Sequence, residues 1–321
     1  MRKILAFDGG GVRGIISAVW LQELQKQLSK PIRDHFELVA GTSTGSLLAA
    51  AMATGKTPAD IISLYENRGD EIFPGTSSKL WSRVSRTFSQ GFSAPKYANS
   101  GLVSVLKDIF GEKLTLGDLP IRVLIVSYDT VNREPIIFKS WKEEHKKLKL
   151  WEACLSSCSA PTYFPSHQMR IEDKARGMID GGVVANNPAA CALAESLRLI
   201  KEDADGKNKN FIKEIKLASL GTGQLNRQIS IEDGQEWGAL EWAIPIIDVL
   251  FDGSSDAVDY IVRNIMDSEH YVRLQVELTK ALDDMDDASK TNIEALKRLA
   301  YAYLKSPVGS KEFQRLVTLI H

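Results

Sequence analysis

Short apolar runs alternate with amphipathic segments over the first 220 residues of the chain. Apolar runs that end in polar or glycine-rich turns are typical of buried strands, whereas apolar residues at every third or fourth position indicate helices. The predicted strands are Lys3–Phe7, Phe36–Ala40, Arg122–Tyr128, Pro135–Lys139 and Glu214–Leu220, with helices in most of the intervals. This alternation predicts a three-layer α/β/α fold, in which helices cover both faces of a mostly parallel central sheet.

The pattern changes after residue 225, where the chain becomes mainly helical apart from a predicted strand at Tyr271–Val276. No internal repeat and no clear linker divides the chain. We therefore predict an α/β core over residues 1–225 and a mainly helical part over residues 226–321 that packs on the same domain.

Composition excludes several classes of protein. The 321 residues include 40 Lys and Arg against 41 Asp and Glu, and a net charge of −1 argues against a dedicated binder of DNA or RNA. The hydrophobic content of 44% excludes a mostly disordered chain. The three cysteines, Cys154, Cys158 and Cys191, do not form a disulfide framework and are expected to be buried thiols. Without an uncharged apolar run of about 18 residues or a signal peptide, we expect a cytoplasmic protein without a transmembrane helix.

The pentapeptide Gly41-Thr42-Ser43-Thr44-Gly45 follows one predicted strand and precedes an Ala/Leu-rich helix. A G-x-S-x-G sequence between a strand and a helix is typical of a nucleophile elbow, in which the serine hydroxyl projects from a strained turn. The adjacent helix N-terminus supplies N–H groups and positive potential for a developing oxyanion. Ser43 is therefore the candidate nucleophile, and Gly41, Thr42, Thr44 and Gly45 form its turn.

A glycine-rich segment, Asp8-Gly9-Gly10-Gly11-Val12-Arg13-Gly14, follows the first predicted strand. Its glycine spacing matches the dinucleotide-binding fingerprint, but Asp8 would lie beside the pyrophosphate and the second strand lacks an acid for the ribose. Exposed N–H groups in such a turn serve equally well as an oxyanion hole. Arg13 either adds positive charge to that site or is a solvated residue at a helix start.

A base for Ser43 must come from elsewhere in the chain. Asp180-Gly181-Gly182 follows the apolar pair Met178–Ile179 and offers a carboxylate. Among the five histidines, His35 and His145 lie in charged segments that we expect to be exposed. His321 is the last residue, and His167 precedes Asp180 and so breaks the hydrolase order of serine, acid and histidine. Of the remaining histidines only His270 keeps that order, so a triad esterase using His270 is the alternative to a pair of Ser43 and Asp180. Because a carboxylate of ordinary pKa is a weak base, the pair requires an apolar site that raises the pKa of Asp180.

Together and in this order, the three motifs resemble those of the patatin-like phospholipase family over roughly residues 1–225. The resemblance implies a Ser–Asp dyad of Ser43 and Asp180, an oxyanion hole at Gly9–Gly14, and fatty acyl esters of phospholipids or neutral lipids as substrates. No metal cofactor is expected, because the acidic residues near the motifs do not form an oxygen-ligand cluster for calcium.

Two further stretches, Tyr128–Phe138 and Trp237–Trp242, are similar to parts of bacterial patatin-like effectors. These include phospholipases of anti-phage systems that cyclic oligonucleotides activate. The similarity implies membrane phospholipid as substrate and a cyclic oligonucleotide as activator. The chain contains no recognisable nucleotide motif, so the sequence leaves open whether a cyclic oligonucleotide activates the protein. It also leaves open whether the protein assembles into a homo-oligomer.

The neutral total charge hides an uneven distribution. No acidic residue lies between Glu71 and Asp108, and that interval combines basic with aromatic side chains, namely Lys79, Arg83, Arg86, Lys96 and Lys107 with Trp81, Phe88, Phe92 and Tyr97. Such a surface suits peripheral contact with anionic lipid headgroups or a phosphate-bearing activator, and a solvated loop is the alternative. Trp237–Phe251 is the most apolar candidate for lipid contact, but a buried core helix kinked at Pro245 is the favoured interpretation.

Overall fold

The computed structural model describes residues 2–73, 95–203, 211–225, 228–242, 245–278 and 284–321. Within these ranges the strands form one mixed sheet. Its members are β1 (Arg2–Phe7), β2 (Leu38–Thr42), β3 (Arg122–Asp129), β4 (Glu134–Lys139), β5 (His167–Ile171), β6 (Lys174–Asp180), β7 (Ile215–Leu220) and β8 (Tyr271–Leu274). The strands β3, β2, β1, β7 and β8 lie side by side and parallel, whereas β4, β5 and β6 pair antiparallel.

Helices of the described ranges lie on both faces of this sheet. They are α1 (Gly14–Gln25), α2 (Thr44–Ala53), α3 (Pro58–Ile72), α4 (Ser100–Phe110), α5 (Glu143–Lys146), α6 (Leu150–Cys158), α7 (Gly182–Ala185), α8 (Ala189–Asp203), α9 (Ile231–Glu236), α10 (Ala239–Trp242), α11 (Pro245–Ile265), α12 (Lys290–Lys305) and α13 (Pro307–Ile320).

Each face of the sheet has its own apolar core, because successive strand residues point to opposite faces. Along β1, Leu5 and Phe7 pack against α1, α2 and α12, while Ile4 and Ala6 pack against α8 and the second half of α11. The predicted α/β/α fold is therefore confirmed. Among the helices of the described ranges, none is both long and apolar enough to cross a membrane.

The part of the chain after residue 225 contributes to the same layers. Strand β8 extends the sheet by pairing with β7, with Tyr271 opposite Leu217. On the other side, the indole N–H of Trp20 in α1 donates to the Ala300 carbonyl of α12 at 3.1 Å. The boundary at residue 225 stays a prediction.

The expectation that His145 is exposed is wrong. His145 is buried, with a relative exposure of 6%, because its ring packs edge-on against Phe138 and its Nδ1 accepts from the Lys139 N–H at 3.1 Å. Burial lowers its pKa to about 4, so the ring is neutral. The predicted kink at Pro245 depends on residues 243 and 244, which lie outside the described residues; from Pro245 the chain is helical to Ile265.

Candidate active site

Strand β3 brings the ends of β2 and β6 together. Thr42, the last residue of β2, pairs with Val126, and Asp180, the last residue of β6, pairs with the next residue, Ser127. Since β4 occupies the opposite edge of β3 over these residues, β6 takes the edge where β2 stops. The two strands point toward each other, so the residue after Thr42, which is Ser43, lies next to Asp180.

The turn at Ser43 has the geometry of a strained elbow. Its backbone angles, φ 53° and ψ −126°, lie in a region that residues with a side chain rarely adopt. A Cβ on Gly41 would lie 2.1 Å from the Gly45 carbonyl oxygen, and a Cβ on Gly45 would lie 2.2 Å from the carbonyl oxygen of Phe7. The two glycines are therefore required for the close approach of strand and helix. The Thr42 hydroxyl donates to the Ala185 carbonyl at 2.7 Å and holds the turn against α7.

Asp180 is a fully buried carboxylate with an unsatisfied oxygen. Its Oδ1 accepts the Gly182 N–H at 2.7 Å across the Gly181–Gly182 turn, while Oδ2 has no hydrogen-bond partner within the described residues. Burial raises the pKa of Asp180 from 3.8 to about 7, although the Ser43 hydroxyl and the Gly182 N–H act in the opposite direction. This is the elevated basicity that the sequence argument requires for a base.

The glycine-rich loop presents a smaller set of donors than the whole segment Gly9–Gly14. The N–H of Gly9 donates to the Asn186 carbonyl at 3.0 Å, that of Val12 donates to Met285 at 2.9 Å, and that of Arg13 donates to Gly10 at 3.2 Å. The N–H of Gly14 is bonded within the same loop. The N–H groups of Gly10 and Gly11, together with that of Thr44 at the start of α2, have no acceptor within the described residues.

Arg13 is not a solvated residue at a helix start. It is 2% exposed, and its Nε donates to the Gly10 carbonyl at 3.2 Å. Asp8, directly before the loop, is also buried and is paired with Arg273. The side chains of Arg13 and Asp8 are therefore both buried against the loop and hold it in place. The sequence did not predict this role.

The structure excludes His270 as the base for Ser43. Gly41, Phe7, Leu220 and Leu274 form one row across the sheet, close to the end where Ser43 lies. His270 precedes Leu274 by four residues, so it lies about 13 Å away along the strands and several strand spacings to the side. The triad alternative is therefore wrong.

A narrow apolar pocket opens above Ser43 and Asp180. Its free volume is about 50 Å³, several times the space that one water molecule needs. Side chains from α2, α3, α4 and α11 and from the loop segments at Phe73 and Phe164 line it, mainly Leu47, Ile72, Phe73, Leu102, Phe164 and Phe251. An apolar wall explains why burial dominates the pKa of Asp180.

The cysteines and acids near the pocket do not form a metal centre. Cys154 and Cys158 are buried, as predicted, whereas Cys191 is partly exposed. Cys158 lines the pocket, and burial raises the pKa of its thiol, which keeps it protonated. Among the described residues, no group of three or more His, Cys, Asp or Glu side chains is arranged to hold a metal ion.

Several supports of the site come from residues that the motifs do not contain. The Ser157 hydroxyl accepts the Ser43 N–H at 2.8 Å, and the Asn186 side chain lies where a Cβ on Gly9 would be, with Oδ1 at 2.2 Å. Met285 and Arg273 hold the glycine-rich loop from the last third of the chain. For Arg273 a signal exists, because an arginine inside the apolar strand Tyr-Val-Arg-Leu requires a buried partner.

Comparison with known proteins shows the family of the chain. A sequence model of the patatin-like phospholipase family matches residues 5–193. Patatin-like protein 2 of Oryza sativa subsp. indica is 32% identical over 98% of this chain and 86% of its own length. Patatin-15 of Solanum tuberosum is 31% identical over 96% of this chain and 85% of its own length. The chain therefore belongs to the patatin-like phospholipase family, whose members are lipid acyl hydrolases, and it is a carboxylic ester hydrolase.

Two solved structures are similar over most of this chain. VipD from Legionella pneumophila covers 94% of the chain and 67% of its own length, with 15% identity and a TM-score of 0.43. The type III effector ExoU covers 99% of the chain and 53% of its own length, with 11% identity and a TM-score of 0.39.

Proposed function

We propose that the protein hydrolyses fatty acyl esters of membrane phospholipids, with Ser43 as nucleophile and Asp180 as general base. One observation carries the proposal. A buried carboxylate with a pKa of about 7 and an unsatisfied oxygen lies beside a serine on a strained strand–helix turn. A base of this pKa is half ionised near neutral pH and accepts a proton far better than an ordinary aspartate.

In the first half of the reaction, the Ser43 hydroxyl oxygen attacks the ester carbonyl carbon and its proton passes to Asp180 Oδ2. The carbonyl oxygen becomes an oxyanion, to which the N–H groups of Gly10, Gly11 and Thr44 donate hydrogen bonds in this proposal. Each such donor is worth about 3 kcal/mol in a water-excluded site. When the tetrahedral intermediate collapses, Asp180 returns the proton to the leaving lysolipid alkoxide and Ser43 keeps the acyl group.

In the second half, a water molecule attacks the acyl-serine and Asp180 accepts the water's proton. The same N–H groups stabilise the second oxyanion. Collapse then releases the fatty acid, and Ser43 recovers its proton from Asp180. The chemistry uses only the side chains of Ser43 and Asp180, so we propose that no metal is needed. Activity that is unchanged after dialysis against EDTA supports this, and loss of activity that calcium restores contradicts it.

The dyad is tested by Ser43→Ala and Asp180→Asn in a fatty-acid release assay on phosphatidylcholine vesicles. Both variants should lose at least about 1,000-fold in kcat, because each removes a group that acts in the transition state. Asp252→Asn is the matched control, since it changes another carboxyl whose pKa burial raises, to about 6. It should retain activity within a few-fold. Undiminished release by either dyad variant contradicts the proposed mechanism.

We also propose that the enzyme works in the cytoplasm, at the membrane surface, and that the first turns of α11 contact the lipid. On this helix Ile247 and Phe251 are buried, while Ile246, Val249 and Leu250 are 38%, 45% and 41% exposed. Phe251 lines the pocket, so these exposed side chains lie close to the candidate site. An exposed apolar helix face of this kind favours binding at the membrane–water interface.

Replacement of Ile246 and Leu250 by Gln should weaken binding to phosphatidylcholine vesicles in sedimentation, with little change in the hydrolysis of a dissolved short-chain ester. Ile265→Gln is the matched control, because Ile265 is 52% exposed but lies about 25 Å further along the helix. Equal vesicle binding by all three proteins would remove α11 as the contact. Lys79, Arg83, Arg86, Trp81, Phe88 and Phe92 of the predicted cationic surface lie outside the described residues.

Activation by a cyclic oligonucleotide in bacterial antiviral defence is a further proposal that rests on the sequence resemblance alone. The relatives described above at 31–32% identity are plant proteins. Vesicle hydrolysis with and without a panel of cyclic di- and trinucleotides tests it. A rise in kcat with one nucleotide supports the proposal, and equal rates throughout contradict it.

A further inference from the structure

A buried ion pair closes the amino end of the glycine-rich loop. Arg273 Nη2 lies 2.6 Å from Asp8 Oδ2, and Nη1 lies 3.2 Å from Oδ1, so the guanidinium holds the carboxylate with both of its outer nitrogens. Arg273 and Asp8 are 5% and 1% exposed. Asp8 is followed directly by Gly9, so the position of its carboxylate determines where the loop begins.

The same guanidinium reaches the segment that follows Asp180. Arg273 Nη1 donates to the Ser219 hydroxyl at 2.7 Å, and that hydroxyl donates to Asn187 Oδ1 at 3.3 Å. Asn187 Oδ1 also accepts the Ala189 N–H at 3.0 Å at the start of α8. The Arg273 side chain is thus hydrogen-bonded directly to Asp8, before the glycine-rich loop, and through the Ser219 hydroxyl to Asn187, in the segment after Asp180.

A third connection runs to α11. The Ser255 hydroxyl donates to Asp8 Oδ2 at 3.0 Å and accepts from Arg273 Nη2 at 3.0 Å. On the adjacent position, Ser254 accepts the Asn186 N–H at 3.1 Å, and Asn186 in turn accepts the Gly9 N–H. Helix α11 therefore contacts both the start of the loop and the turn after Asp180.

The charge of the pair matters for the reaction as well as for the fold. An unpaired Asp8 carboxylate would lie beside the loop on which a negative oxyanion develops, and like charges repel strongly in a low-dielectric site. Arg273 neutralises this carboxylate. Lysine would keep the positive charge but not the two parallel hydrogen bonds of the planar guanidinium.

We propose that Arg273 is a positioning residue for the oxyanion hole and that it acts through Asp8. The inference rests on the proposed function, because it requires Ser43 chemistry at this site. It also assigns a catalytic requirement to β8, which lies outside residues 5–193 that match the family. Arg273 touches no substrate, so its effect should fall on kcat and not on KM.

The experiment separates the number of active sites from the rate at each site. Prolonged reaction with an alkyl fluorophosphonate, followed by mass spectrometry, counts the enzyme molecules in which Ser43 is labelled. The turnover of a dissolved ester is then divided by this count. Arg273→Lys should label fully and lose about 10- to 100-fold in kcat per labelled site, with KM within threefold, since a displaced donor costs at most what a removed donor costs.

A second variant removes both charges, so that no ion is left unpaired in the interior. Asp8→Asn combined with Arg273→Gln should also label and should show a similar loss in kcat per site. Lys139→Gln is the matched control, because it breaks a different ion pair away from the loop, the partly buried pair of Lys139 with Glu195 at 2.8 Å. Its kcat per site should equal that of the unmodified protein.

Unchanged kcat per labelled site in Arg273→Lys or in the double variant would overturn the inference. Failure of both variants to give folded, labelled protein would assign the pair to folding alone and overturn it too. Absence of label on Ser43 in the unmodified enzyme would instead contradict the proposed function, so the two failures can be told apart.

Discussion

The backbone N–H of Ser43 donates a hydrogen bond of 2.8 Å to the Ser157 hydroxyl. That hydroxyl donates in turn to the Val126 carbonyl at 2.6 Å. Val126 is the residue of β3 that pairs with Thr42, so Ser157 ties the elbow back to the strand that aligns it with Asp180. The contact also occupies the N–H of Ser43, so in the proposed mechanism the oxyanion is assigned to the neighbouring donors of Gly10, Gly11 and Thr44.

Replacement of Ser157 by Ala should therefore weaken both the fold and the activity. It leaves the buried Ser43 N–H without an acceptor, which costs about 1–3 kcal/mol. We expect the free energy of unfolding to fall by this amount in urea, and kcat to fall about tenfold or more. Ser156→Ala is the control, because its hydroxyl bonds to the Glu152 carbonyl of its own helix, and stability should change little. Equal activity of the two variants would mean that the elbow does not depend on Ser157.

A methyl group on Gly11 should abolish most of the activity. Gly11 has φ +59°, and a Cβ there would lie 2.0 Å from the Met285 carbonyl oxygen, so the loop must shift and carry its N–H groups with it. We expect a loss of about 100-fold or more in kcat for Gly11→Ala, comparable with the removal of an oxyanion-hole donor.

Gly111 supplies the matched control for this change. It also has a positive φ, +75°, but nothing lies within 4 Å of the position of its Cβ. Gly111→Ala should therefore lower stability through backbone strain, by about 1–3 kcal/mol, without a loss of kcat. Similar losses in both variants would show that strain, and not the collision with Met285, is responsible.

The rate should depend on pH through Asp180. Its pKa of about 7 means that the base is protonated and inactive below neutrality. We expect kcat/KM for a dissolved ester to rise about tenfold per pH unit up to pH 7 and to level off above it. Initial rates between pH 5 and pH 9 measure this. A profile that is already flat from pH 5 upward would show that the base has an ordinary carboxyl pKa.

Asp180 should also make the fold less stable as the pH rises. Between the ordinary pKa of 3.8 and the folded-state value of about 7, the folded protein holds a proton that the unfolded chain has released. Stability from this residue is complete below pH 4 and is lost as the pH rises through 7, by up to about 4 kcal/mol.

Asp180→Asn carries no such proton and removes this dependence. The unfolding free energy of Asp180→Asn, minus that of the unmodified protein, should therefore increase from pH 4 to pH 8. Denaturant unfolding at several pH values measures the difference. A difference that stays constant with pH would contradict the raised pKa of Asp180.

Much of the fold and the centre of the site follow from local sequence patterns. The Gly41–Gly45 turn lies between a strand and a helix, as its composition predicts, and the Asp180-Gly181-Gly182 turn marks the second carboxylate-bearing motif, although the sequence does not predict the strand β6 that ends at Asp180. These features depend on backbone constraints within five or six residues. The same local information leaves Arg13 ambiguous, because an arginine at a helix start is solvated in most sequences and buried only when other segments cover it.

The supports of the site depend instead on contacts between distant parts of the chain. His145 lies in a charged segment, yet its ring is buried because Phe138 packs against it. The partnership of Asp8 with Arg273 joins residues 265 positions apart, and only the parallel order of β1, β7 and β8 brings them together. Periodicity predicts most of the described strands, although not β5 and β6, and it does not predict the order of the strands in the sheet.

The contact between Val12 and Met285 has a consequence for biosynthesis. Ser43 and Asp180 leave the ribosome well before Arg273 and Met285, since domains form from the N-terminal end as the chain is made. The loop that should stabilise the oxyanion is fixed only after the later residues have emerged. In the proposed mechanism, Ser43 and Asp180 of a growing chain therefore lack a fixed oxyanion hole, and hydrolysis of the producing cell's membranes should begin only after Met285 has emerged.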